Sequence, residues 1–140
     1  MCIRDRAHTA YRQKELDKSI NLLIANPPST FLLSISSKIL TVQVYFDLLM
    51  VDDSYQTYLF NFFDSFEKWI YRQDLINKHK KESYLRFTQK TRVLAKAILD
   101  VNFQPEKIQN FLKNVQNVQA ATWLKRSAER VLEYKRRQKR

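Results

Sequence analysis

The chain contains no glycine in 140 residues. That absence constrains the fold more than any residue that is present. Tight primed hairpin turns, phosphate-cradling loops, dinucleotide turns and nucleophile elbows all need backbone that tolerates positive φ or close approach. A turn-rich β fold and the main nucleotide-binding folds are therefore disfavoured. Helices do not carry this requirement, because asparagine can take the left-handed position at their C-terminal ends. Asn26, Asn77, Asn102 and Asn117 stand where such caps are expected.

Hydrophobic residues are 44% of the chain and charged residues 28%, a globular balance. The periodicity is helical throughout. Leu16, Ile20, Leu23 and Ile24 form a stripe within 10–25, ended by Asn26-Pro27-Pro28. Residues 31–50 are the most apolar segment. Their predicted buried face is Leu32, Ile35, Ile39, Val42, Phe46 and Leu49, widened by Val44, Tyr45 and Leu48. Lys38, Gln43 and Asp47 interrupt this segment, and a charge at mid-bilayer depth costs roughly 2.5–3.5 kcal/mol. A buried core helix is expected there, and no membrane span.

Asp53 is the expected cap of the next helix, with Gln56 as its capping-box partner. Residues 54–72 hold eight aromatics, with a main stripe of Tyr55, Leu59, Phe62, Phe66 and Trp69 and a flank of Phe60, Phe63 and Ile70. A fourth helix over 78–101 turns Tyr84, Phe87, Leu94, Ile98 and Val101 inward. Asn102 and Pro105 mark the next break. Residues 105–117 place Ile108, Phe111, Leu112 and Val115 on one face. A last helix, capped by Thr122, packs Trp123, Leu124, Ala128, Val131 and Leu132 and then runs out in a basic tail, 135–140. The expected fold is all-α, with about six helices as three antiparallel αα-hairpins. These either close as a compact bundle or stack as the end of a solenoid. The domain organisation read from the sequence is a disordered start over 1–7, one helical domain over 8–134 and the tail.

The first six residues, MCIRDR, resemble a translated adapter scar of the kind that begins many reading frames assembled from environmental DNA. They are set aside as non-native, and the chain is expected to be the C-terminal part of a longer protein. Cys2, the one cysteine, is then without a role, and a cysteine-poor chain points to a reducing, cytoplasmic setting. From about residue 40 onward the sequence resembles the C-terminal region of uncharacterised bacterial proteins built of tetratricopeptide-like helical hairpins. Tyr45, Asp64-Ser65-Phe66, Tyr84, Phe87 and Trp123-Leu124 carry the resemblance. It implies a stacked helical scaffold with no catalytic residues. The tetratricopeptide consensus itself is not readable in the chain.

The net charge of +11 is concentrated in two clusters that could neutralise the phosphates of an anionic partner. Residues 78–96 carry seven basic residues against Glu82, and residues 125–140 carry eight against two acids. The candidate contacts to an anionic partner are Lys78, Lys80, Lys81, Lys135, Arg136, Arg137, Lys139 and Arg140. Against them, Lys78, Glu82, Arg86 and Lys96 face away from the apolar stripe, as on a solvated helix back. The aromatic run of 54–72 has core spacing rather than that of a base-stacking platform.

Catalytic and metal chemistry find little support. His79 lacks ligand-type neighbours and sits among lysines. Asp52-Asp53 is too short for a calcium loop. Asp64 and Glu67 have the spacing of an acid/base pair but no nucleophile beside them, and Ser34, Ser36 and Ser37 have no histidine within sequence reach. The expected function is a non-catalytic helical scaffold for protein–protein interaction, with no cofactor. A basic module that binds nucleic acid and an accessory helical segment of a larger enzyme are the alternatives.

Overall fold

The computed structural model describes the backbone of residues 3–25, 31–115 and 118–138 and the side chains of 13–24, 34–115 and 118–138. The described chain is all-helical, with six α-helices: α1 (Ile3–Ala25), α2 (Phe31–Val51), α3 (Gln56–Arg72), α4 (Lys78–Leu99), α5 (Pro105–Lys113) and α6 (Ala121–Gln138). A short 3-10 helix, Asp53–Tyr55, leads into α3. The helical backbone begins at Ile3, so residues 3–7, expected as a disordered start, form the first turns of α1. Cys2, Asn26, Pro27, Pro28 and Asn117 lie outside the described residues.

The chain packs as two compact units, Met1–Phe62 and Phe63–Arg140. The boundary falls inside α3. In the first unit α1 and α2 pair as an antiparallel hairpin around Ile20, Val44 and Leu48, with Leu16, Leu23, Tyr45 and Tyr55 packed against them. Burying side chains of this size stabilises by about 1.5–3 kcal/mol each. Leu48 is wholly buried, as are Val42 and Phe46, so the second half of α2 supplies core, while Leu40 in its first half is 47% exposed. Ser34–Val51 is also long and apolar enough to cross a membrane. Ile24, expected on the buried stripe of α1, is 66% exposed.

In the second unit α3 and α4 form a hairpin, joined by Arg92 to Asp64 and Glu67 and by Lys81 to the Tyr71 carbonyl. α6 packs on both α4 and α5. Trp123 meets Phe87 at one end of α6, and Lys135 meets Asp100 at the other. α4 and α6 therefore run parallel, with α5 returning between them. Phe63, Phe66, Phe87, Leu94, Ile108, Leu124 and Val131 are at most 1% exposed and fill this core.

Several local expectations change. The wholly buried ridge of α3 is Leu59, Phe63, Phe66 and Ile70, while Tyr55, Phe62 and Trp69 are half-buried. Val101 is 94% exposed, because α4 ends at Leu99 and Val101 lies in the turn beyond. The cap before α3 is Asp52 rather than Asp53: its carboxylate accepts the Ser54 N–H at 3.0 Å. Asn77 caps the beginning of α4, accepting the Lys80 N–H at 2.9 Å, and does not close the helix before it. Among the described residues the left-handed position falls to Ala120, φ 57°, just before α6. Thr122 therefore sits inside α6 rather than at its cap.

Candidate functional site

Among the described residues, the basic side chains singled out in the sequence do not converge on one surface. Lys78 and Lys80 are exposed in the first turn of α4, where Lys81 donates to the Tyr71 carbonyl oxygen at 3.3 Å. Lys135 lies beside Asp100, at the far end of α4. The intervening helix is about 28 Å long at 1.5 Å per residue, so the two clusters occupy opposite ends of the second unit.

Lys135 departs from the solvated tail around it. Expected in a solvated tail, it is 8% exposed. Its Nζ donates to the Asp100 carbonyl oxygen at 2.8 Å and lies 5.6 Å from the centre of the Phe103 ring. Burial lowers its pKa, and the Asp100 charge partly restores it. Arg136 and Arg137 are exposed, and both pair with Glu133 on the same helix, at 3.6 and 3.4 Å. Lys139 and Arg140 lie outside the described residues.

The α4 cluster is similarly divided. Arg86 and Lys96 are exposed, Lys90 stands 5.6 Å from the Phe111 ring centre, and Arg92 turns inward. The Arg92 guanidinium bonds Asp64 at 2.7 Å and Glu67 at 3.0 Å, and lies 5.0 Å from the Phe63 ring centre. Partial burial acts to lower the Arg92 pKa, but the hydrogen bonds and charges of the two carboxylates outweigh it and leave it raised. Asp64 and Glu67, which have the spacing of an acid/base pair, thus have a structural partner. The residue that sequence reasoning missed is Arg92, and only the α3–α4 pairing brings it to them.

His79 is exposed, and no group of three His, Cys, Asp or Glu among the described residues is placed to hold a metal ion.

The first unit offers a different kind of surface. A shallow groove of about 410 Å³ runs between α1 and α2, lined by Ser19, Leu22, Leu23, Leu40 and Val44. Leu22 is 56% and Leu40 47% exposed, so two large aliphatic side chains border it in contact with solvent. Compared with known proteins, the chain matches no family model, no curated sequence and no solved structure.

Proposed function

We propose that the chain is a non-catalytic helical scaffold that binds a partner protein, and that the α1–α2 groove receives an amphipathic helix of that partner. The observation that carries this reading is the row of Leu22, Leu23, Leu40 and Val44 along a concave helical face. Helix-in-groove recognition uses a surface of this kind, with apolar anchors at i, i+3, i+4 and i+7 on the incoming helix. The charge supports the same reading, because the two basic clusters stand at opposite ends of their unit and several of their members are engaged internally.

The test is site-specific photo-crosslinking from Ser19, which lines the groove. The reading predicts a discrete protein adduct that disappears in the Leu22→Glu/Leu40→Glu double variant while helical content stays constant. An adduct that persists in the double variant would count against the groove. Crosslinks to nucleic acid instead, weakened by added salt, would favour the basic-module alternative.

A further inference from the structure

The first unit holds a second concavity, on the opposite edge of α1 from Leu22. It is a cleft of about 560 Å³, within the usual range for small-ligand pockets. Its lining includes Asp17 and Asn21 of α1, Tyr45 of α2, and Asp52, Tyr55 and Tyr58 around the 3-10 turn. The composition of this wall is unusual for the chain. On a protein of net charge +11, no described residue lining the cleft is basic, and two are carboxylates.

The three tyrosines are arranged as a group. Tyr45 and Tyr58 are parallel to within 7°, with ring centres 6.3 Å apart. Tyr55 is inclined at 47° to Tyr58, at 6.0 Å. Each half-buried ring is fixed by its surroundings: Tyr55 donates its phenol hydrogen to Asp17, and Tyr45 also contacts Phe62, 6.1 Å away. Tyr58, 60% exposed, forms the outer wall. Asp52 is held by the Ser54 N–H, and that bond favours its ionised form.

The geometry points to a binding site for an organic cation, an alkylated ammonium group held by the Tyr45, Tyr55 and Tyr58 rings and the Asp17 and Asp52 carboxylates. Aromatic faces attract a cation within about 6 Å of the ring centre, most strongly one that sheds water readily. The carboxylates add long-range attraction and select for charge. A hard metal ion is a poor fit, because it requires six or more oxygen ligands and gains nothing from the rings. The same chemistry reaches a protein from two sources: a free quaternary amine such as choline, or a trimethyllysine side chain on another polypeptide.

The test titrates the full chain with choline, with a trimethyllysine peptide and with 3,3-dimethyl-1-butanol, the uncharged isostere of choline. The tyrosine ring resonances are followed by NMR. Saturable shifts are expected with the cations, and the isostere should bind roughly fivefold to thirtyfold more weakly, the worth of a cation–π contact. Tyr58→Leu and Asp52→Asn should each weaken the better cation by several fold. Both substitutions spare the fold, since Tyr58 is largely exposed and asparagine also caps. Tighter binding of choline would assign the site to a free amine, and tighter binding of the peptide to a modified protein. Equal affinity for choline and its isostere overturns the proposal, even if a variant fails to fold. So does an absence of saturable shifts with both cations, or wild-type affinity in both variants.

Discussion

Lys135 Nζ lies 2.8 Å from the main-chain carbonyl oxygen of Asp100, a residue 35 positions earlier in the chain. The bond ties the last turns of α6 to the end of α4, so the basic C-terminal stretch is anchored through one of its own charges. A hydrogen bond from a charged donor contributes about 1.5–3 kcal/mol, less the cost of desolvating the ammonium. Lys135→Ala should therefore destabilise by about 2 kcal/mol. Lys135→Met keeps the apolar stem against Phe103 and should cost about half of that. Urea denaturation of both variants checks the order. Equal losses would assign the effect to the hydrogen bond alone.

Arg92 joins α3 to α4 through two carboxylates of unequal burial: the Asp64 side chain is 64% exposed and that of Glu67 23%. Solvent screens the first partner more than the second. Asp64→Ala should cost at most about 0.5 kcal/mol, in the range of exposed ion pairs. Glu67→Ala should cost about 1 kcal/mol and Arg92→Lys a similar amount, because lysine cannot span both carboxylates from a position over Phe63. The three single variants, compared by thermal melting, test this ranking. An Asp64 effect equal to that of Glu67 would contradict it.

The helices were legible because apolar residues recur at helical spacing, and proline or asparagine marks several of the breaks. The phase of α3 was harder to read. Its apolar arc is so wide that two ridges pass through Leu59 and Phe66, and sequence spacing does not choose between them. The structure buries Phe63 and Ile70 fully and leaves Tyr55 and Trp69 half-buried, as suits side chains with a polar end. Lys135 did leave a signal: Leu124, Ala128, Val131 and Lys135 follow a 4-3-4 spacing, and only the expectation that lysine belongs outside hid it. The tyrosine cleft left none. Asp17, Tyr45 and Tyr58 belong to three different helices, and only packing brings them together.

Ala120, at the turn into α6, occupies the left-handed region at a position held by neither glycine nor asparagine. A residue with a Cβ is disfavoured there by roughly 1–2 kcal/mol. Glycine removes that cost but gives back about 0.5–1 kcal/mol through its freer unfolded chain. Ala120→Gly should thus stabilise the protein by about 0.5–1 kcal/mol, a rare case in which adding glycine to a helical protein helps. Chemical denaturation of this one variant is sufficient. A loss of stability would mean that the turn relaxes to negative φ.

Tyr55 gives the alkaline limb of the stability profile a defined sign. Its hydrogen bond to Asp17, with smaller contributions from burial and nearby carboxylates, pushes its pKa from 10.0 to about 12. The folded state therefore holds the phenol proton more tightly than the unfolded state does. Its contribution is fully present below pH 10 and is lost as the pH rises towards 12. Because the site is open to solvent, screening reduces the effect to about 1 kcal/mol. Lys135 acts in the opposite direction: burial lowers its folded pKa below 10.5, so its contribution improves as the pH rises towards that value. The comparison is therefore made between wild type and Tyr55→Phe, in which the Lys135 contribution cancels. The wild type should be more stable at pH 8, and the difference should shrink across pH 10–12. A difference that does not change with pH would show that the Tyr55–Asp17 bond is not coupled to folding.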